Sequence, residues 1–90
     1  MTLTVSTPSG HFEFESRYDA EFDVLYLRRV GWQGPASWTR VTTEGHAVQY
    51  NADGEIVGLT LMNIRRTIEE HGLFDPPEPL DPDELAPALA

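Results

Sequence analysis

The chain has no cysteine, no lysine and no long apolar run, and each absence removes a class of function. Without cysteine, disulfide scaffolds, thiolate metal sites and thiol nucleophiles are excluded. No apolar run approaches the roughly 20 residues that cross a bilayer, which predicts no membrane-spanning segment. The first six residues carry neither the basic nor the apolar stretch of a signal peptide, so we expect a cytoplasmic protein.

The absence of lysine is part of a strong charge imbalance. All six basic residues are arginine, and they face fifteen acidic residues, which gives a formal net charge of -9. Phosphate backbones and anionic membranes repel such a chain, so we expect no direct nucleic-acid or membrane partner. A basic protein partner is electrostatically favoured. The alternative is that the acidity serves solubility alone.

Motifs for catalysis and metal binding are also missing. Asp19, Glu21 and Asp23 alternate like calcium ligands, but an EF-hand loop needs glycine and glutamate where this chain has Val24 and Val30. The sequence has no Gly-x-Ser-x-Gly elbow and no phosphate-binding glycine loop. The sequence therefore predicts no catalytic, cofactor-binding or metal-binding residues, and an enzyme is the less favoured interpretation.

The histidines do not change this prediction. His11, His46 and His71 are spread over two predicted strands and a helix end without the spacing of metal ligands. The competing hypothesis is a small-ligand-binding or hydrolytic domain that uses Asp23 and His46.

Apolar residues alternate with polar ones from His11 onward, which is typical of a half-buried strand. Further strand-like runs precede one helical pattern at residues 64–71, for which Asn63 is the predicted N-cap and Gly72 the predicted C-terminal end. The sequence predicts an α+β domain, with a meandering antiparallel sheet of four to five strands and one short C-terminal helix packed on one face. We expect an N-terminal arm or edge strand at 1–10, a compact domain at 11–74 and an acidic, proline-rich tail at 75–90.

Two acidic turn signatures frame the centre of the chain. Each places turn residues directly before an apolar strand, because Asp and Asn side chains bind turn amides and glycine adopts the left-handed conformation. A glycine inside the last strand indicates a bulge or a close backbone approach. The predicted structural turn residues are Asp19, Asp23, Asn51, Asp53, Gly54 and Gly58.

The tail contains a helix-start pattern despite its five prolines and five acidic residues. Asp81 suits the N-cap, Pro82 the first helical position and Glu84 the third. Leu80, Leu85 and Leu89 would then form an apolar stripe. This segment either docks on its own sheet or becomes ordered on a partner.

Aromatic and arginine side chains cluster around a glycine-proline loop. Trp32 and Trp38 flank this loop, close to Arg28 and Arg29. Tryptophan and arginine are enriched at binding hot spots, so a protein interface is expected there, a homodimer interface included. Burial of a tryptophan in the core is the alternative.

The two signatures resemble a family of small, mostly bacterial proteins catalogued as a domain of unknown function. Its members carry Tyr-Asp-x-x-x-Asp-x-Leu-Tyr-Ile and then Asp-Gly-x-Ile-Val-Gly-Ile-Glu-Ile. Here residues 18–27 read Tyr-Asp-Ala-Glu-Phe-Asp-Val-Leu-Tyr-Leu, and residues 53–61 read Asp-Gly-Glu-Ile-Val-Gly-Leu-Thr-Leu. The chain departs from the family at Thr60, where the acidic residue is expected. The resemblance implies a compact antiparallel sheet and, because some members are encoded beside toxin-like proteins, an antitoxin-like role.

The sequence thus favours a non-catalytic protein-binding module, antitoxin-like or homodimeric, with a protein partner that is small and basic. A structural subunit of a larger assembly is a further alternative. The residues expected to bind the partner are Arg28, Arg29, Trp32 and Trp38 on the folded surface, and Asp81, Asp83, Glu84 and Leu85 in the tail.

Overall fold

The fold is built on one antiparallel sheet. The computed structural model describes residues 1–77 and 80–89, and Glu78, Pro79 and Ala90 of the predicted tail lie outside the described residues. The strands are β1 Thr2–Thr7, β2 Gly10–Asp19, β3 Val24–Arg29, β4 Trp38–Val41, β5 Ala47–Tyr50 and β6 Ile56–Met62. The helices are α1 Ile64–His71 and α2 Pro82–Leu85, which a 3₁₀ turn at Ala86–Leu89 follows.

The predicted antiparallel sheet and short helix are present, but the strand count and order differ from the prediction. Six strands are found instead of four to five, because the N-terminal segment pairs with β2 along its full length. The order is β1-β2-β3-β6-β5-β4. Two three-stranded meanders are therefore joined where β3 pairs with β6, and the chain crosses from β3 to the far edge before returning.

Period-two alternation decides which face of the sheet is buried. In β2, Phe14 and Ser16 point to the inner face, whereas Glu13, Glu15 and Arg17 point to the solvated outer face. The inner face packs against Ile64, at the start of α1, and against the C-terminal segment. Its buried core consists of Leu3, Val5, Phe14, Leu25, Leu27, Val48, Tyr50, Ile56, Leu59, Leu61, Ile64, Phe74, Leu80, Leu85 and Leu89.

The helix α1 has the predicted bounds but not the expected N-terminal cap. Asn63 occupies the N-cap position in a left-handed conformation, with φ 55°, and its side chain makes no capping hydrogen bond. The carboxylate of Asp23, forty residues earlier, accepts the helix amides instead. At the other end Gly72, with φ 80°, donates its N–H to the carbonyl of Ile68.

The C-terminal residues 74–77 and 80–89, which we name the C-terminal strap, cross the inner face from one edge of the sheet to the other. Near β4, the Pro77 carbonyl accepts a hydrogen bond from Arg40. In the middle, the leucines of the predicted apolar stripe are buried in the core. At the opposite edge, α2 packs against β1. Of the two possibilities for this segment, the structure shows docking on its own sheet.

The bulge expected around Gly58 lies where the end of β5 pairs with the start of β6. Gln49 pairs with Gly58 and Tyr50 pairs with Ile56, so Val57 is the extra residue of β6. A Cβ atom at Gly58 would stand 2.2 Å from Oε1 of Gln49. A larger residue at position 58 would therefore displace the exposed Gln49 side chain, which lies directly on the strand.

We expect the substitution Leu85→Ala to lower the free energy of unfolding by about 2–5 kcal/mol, because Leu85 is 1 % exposed and its loss opens a cavity under the strap. Asp83→Ala, on the exposed side of the same helix, should change it by less than about 0.5 kcal/mol. Urea denaturation measures both. Equal effects of the two substitutions would show that the strap contributes no core packing.

Candidate functional site

The first turn signature builds a cap for α1. Oδ1 of Asp23 accepts the Arg65 amide at 3.0 Å and the Tyr18 hydroxyl at 2.7 Å, and Oδ2 accepts the Arg66 amide at 2.9 Å. The Asp23 carbonyl also accepts the amide of Asn63. Asp23 itself is left-handed, with φ 54°, a conformation that aspartate tolerates better than most residues. These contacts occupy the carboxylate within the fold.

The remaining turn residues also bind the backbone. Oδ1 of Asp19 accepts the amides of Glu21 and Phe22. In the second signature, Oδ1 of Asn51 accepts the amides of Asp53 and Glu55. Gly54 closes this turn in the left-handed conformation, with φ 79°. The structure thus places both signatures in turns, and their acidic residues do not converge on a shared site.

The two arginines of the predicted interface make contacts within the domain. The guanidinium of Arg28 donates to the carbonyls of Trp32 and Gly34, which holds the loop after β3. Arg29 lies on the inner face, 3.6 Å from the centre of the Phe12 ring and 3.5 Å from the Glu55 carboxylate. Both cations therefore stabilise the surface around the loop.

The tail residues of the predicted interface lie at the opposite edge of the sheet from Trp38. Asp81 caps α2 by accepting the Asp83 amide, and Leu85 is buried in the core. The Glu84 carboxylate accepts both the amide and the hydroxyl of Ser6, each at 2.9 Å. Because α2 packs on β1 and Trp38 belongs to β4, the two predicted groups do not form one surface.

Strand β4 is the candidate site because it is the opposite edge of the sheet and all four of its residues are exposed. Trp38 stacks on Tyr50 with ring centroids 3.9 Å apart, yet it remains 51 % exposed. Val41 is 69 % exposed on the outer face. We name these four residues, Trp38 to Val41, the β4 edge.

The backbone of the β4 edge offers hydrogen-bonding groups to a neighbour. The Thr42 amide donates to the His46 carbonyl, and Arg40 pairs with Val48, so Arg40 directs its backbone groups toward β5. By alternation, Thr39 and Val41 direct their N–H and C=O groups away from the sheet. Within the described part of the chain, no backbone hydrogen bond outside the strand ladders reaches these two residues.

The sequence pattern identified Trp38 but not Thr39 and Val41. Their β-branched side chains predict a strand, and nothing in the local pattern says that this strand lies at an edge. Edge position follows from the pairing of β3 with β6, which involves residues thirty or more positions apart. The local sequence therefore does not identify Thr39 and Val41 as residues of an edge strand.

His46 lines a separate depression at the turn between β4 and β5, and Asp23 is not among its lining residues. The Nδ1 atom of His46 accepts the Met62 amide at 2.9 Å, and the ring contacts Phe74 edge-on. Burial lowers the pKa of His46, although the nearby Glu44 carboxylate opposes this effect. The structure thus does not bring together the Asp23–His46 pair of the competing hypothesis.

Two negative observations concern residues 1–77 and 80–89. No group of three or more histidine, aspartate or glutamate side chains among them is placed to hold a metal ion. None of the helices formed by these residues has the length and apolar character to cross a membrane.

We predict that Asp23→Asn lowers the free energy of unfolding by about 1–2 kcal/mol at pH 7, since it removes a charged helix cap. Burial raises the pKa of Asp23, but the hydrogen bonds from Arg66, Tyr18 and Arg65 outweigh it and leave the pKa below its usual value. A depressed carboxyl pKa stabilises the fold above the unfolded-state value of about 3.9. Urea titrations from pH 7 to pH 3 should show the difference between the two proteins shrinking below about pH 4, and a difference independent of pH would contradict the cap.

A second titration tests His46. Its pKa is lowered in the folded state, so the unfolded chain binds the proton more readily below the unfolded-state value of about 6.5. Stability should therefore fall between pH 7 and pH 5 in the wild type, and fall less in His46→Asn, whose Oδ1 replaces Nδ1 as an acceptor. His11 and His71 are common to both proteins. Identical pH slopes in thermal denaturation would contradict the buried, neutral His46.

No protein-family model, curated protein or solved structure matches this chain. The family resemblance of the two turn signatures therefore stays a prediction, and the function is inferred from the surfaces of the chain itself.

Proposed function

We propose that this protein is a non-catalytic protein-binding module whose β4 edge accepts an extended segment of a basic partner protein as an additional strand. The observation that carries the proposal is the difference between the two edges of the sheet. At β1, Glu84 occupies the Ser6 amide. At β4, Thr39 and Val41 direct their backbone groups away from the sheet. The side chains of Trp38 and Val41 on the same strand are exposed.

Strand addition suits this geometry. A partner segment gains main-chain hydrogen bonds from the outward groups of Thr39 and Val41, and alternate side chains give specificity. Exposed edges are a liability that proteins usually block, and here Glu84 and α2 cover the Ser6 end of the β1 edge. We therefore infer that the open β4 edge, which lies next to a half-exposed tryptophan, is a binding surface.

The charge of the domain supports a basic partner. The net charge of -9 attracts a cationic chain and accelerates its association at low salt. The same charge opposes pairing of β4 with β4 of a second copy, because the two copies repel each other. Arg40, whose guanidinium donates to the Pro77 carbonyl, ties the edge to the strap and fixes its position.

An antitoxin-like role is the version of this proposal that the family resemblance suggests. In the described structure, Glu84 and Leu85 are engaged within the domain, so a partner that binds the folded protein meets the β4 edge and not these tail residues. The proposal therefore places recognition at Trp38, Thr39 and Val41. Arg28, Arg29 and Trp32 support the neighbouring loop.

The substitution Thr39→Pro tests the proposal. Proline at position 39 removes an outward N–H without removing a ladder bond to β5, so the fold should persist while strand addition is blocked. Ala20→Pro is the matched control, because it places proline in the exposed β2–β3 turn. We expect chemical cross-linking in native lysate, followed by mass spectrometry, to join a basic protein to the wild type and the control at equal levels. The yield with Thr39→Pro should be at least tenfold lower.

Light scattering of the purified proteins completes this test. A dimer of the wild type that is lost in Thr39→Pro would replace the basic partner by a second copy and overturn the proposal as stated. A partner held equally by all three proteins would also overturn it, because the contact would then lie away from the β4 edge. Circular dichroism establishes that each variant is folded.

A further inference from the structure

A depression of about 440 Å³ lies where the β4–β5 turn meets α1 and the start of the strap. This volume is within the usual range of small-molecule sites, which is about 300–1,000 Å³. The depression is separate from the β4 edge and from the cap at Asp23. The residues that line it are Glu44, His46, Met62, Asn63, Thr67, Phe74 and Asp75.

One of the residues that line this depression is a buried histidine with a ring nitrogen that no described residue binds. His46 is 5 % exposed, and its Nδ1 accepts the Met62 amide at 2.9 Å. A neutral imidazole whose Nδ1 accepts carries its proton on Nε2, so Nε2 is a hydrogen-bond donor. No side chain or carbonyl among residues 1–77 and 80–89 accepts from Nε2, and none of their unpartnered side-chain nitrogen or oxygen atoms is fully buried, so Nε2 is accessible to solvent.

The surroundings of this donor carry negative charge and an apolar wall. Glu44 and Asp75 contribute carboxylates, and none of the lining residues is basic. The ring of Phe74 packs edge-on against His46 with centroids 5.4 Å apart, and Met62 lies beside it. A ligand that fits this set has a cation for the carboxylates, an acceptor for Nε2 and an apolar group for Phe74.

We propose that this pocket binds a primary ammonium group with a neighbouring carbonyl, the chemistry of an amino-acid amide or of the N-terminal residue of a peptide. The carbonyl accepts the Nε2–H of His46, the ammonium group lies near Glu44 and Asp75, and the apolar side chain packs on Phe74. This site is independent of strand addition at the β4 edge, and either proposal stands if the other fails.

Three small probes separate the contacts. L-Leucinamide carries all three groups, 3-methylbutylamine lacks the carbonyl, and N-acetyl-L-leucinamide lacks the positive charge. We expect L-leucinamide to shift the NMR signals of the His46 ring in a saturable manner. Each of the other two compounds should bind at least about fivefold more weakly, as expected for the loss of one polar contact worth about 1 kcal/mol.

Two variants and one peptide complete the experiment. Asp75→Asn should weaken L-leucinamide about fivefold, whereas Glu13→Gln, which removes a charge from the outer face of β2, should leave its affinity unchanged. Binding of the tripeptide Leu-Gly-Gly as tightly as L-leucinamide identifies a peptide N-terminus as the source. Tighter binding of L-leucinamide identifies a free small molecule.

Three results would overturn the proposal. The first is the absence of any saturable shift of the His46 signals with L-leucinamide. The second is equal affinity for the three probes, which would indicate contact with the apolar wall alone. The third is an equal response of Asp75→Asn and Glu13→Gln. Thermal denaturation of both variants establishes that they are folded.

Discussion

The packing of the C-terminal strap across the sheet is the constraint on which the rest of the structure depends. The strap contributes buried leucines to the hydrophobic core and thereby covers the inner face of the sheet. Its two polar anchors lie at opposite edges, where Arg40 binds the Pro77 carbonyl and Glu84 binds Ser6. A chain of ninety residues forms only a small hydrophobic core. A segment whose composition is typical of an acidic tail supplies part of that core.

The two anchors leave the sheet edges in different states. Glu84 accepts the outward amide of Ser6 and α2 packs against β1, which covers the Ser6 end of that edge against another strand. Arg40 reaches the strap through its side chain and leaves the outward backbone groups of Thr39 and Val41 directed to solvent. Acidic residues therefore serve two purposes. Some bind backbone groups of turns, helix starts and the β1 edge within the domain, and the net charge of the whole supports the proposed basic partner.

Local chemistry was predictable from the sequence, and long-range pairing was not. The bounds of α1, its Gly72 end, the Gly58 bulge and the start of α2 follow from neighbouring residues, so the pattern predicted them. The sequence pattern assigns the N-cap of α1 to Asn63, but the carboxylate of Asp23, in a distant turn, accepts the helix amides instead. For the same reason the strand order, the open β4 edge and the position of His46 beside Phe74 have no signal in short windows of sequence.

Native-state hydrogen exchange of the backbone amides tests most directly the claim that the β1 edge is closed at Ser6 whereas the β4 edge is open. The Ser6 amide donates to Glu84, whereas the amides of Thr39 and Val41 point to solvent. The account predicts slow exchange at Ser6 and exchange near the rate of an unstructured peptide at Thr39 and Val41. Equal protection at Ser6 and at the two β4 residues would contradict it, because the edges would then not differ.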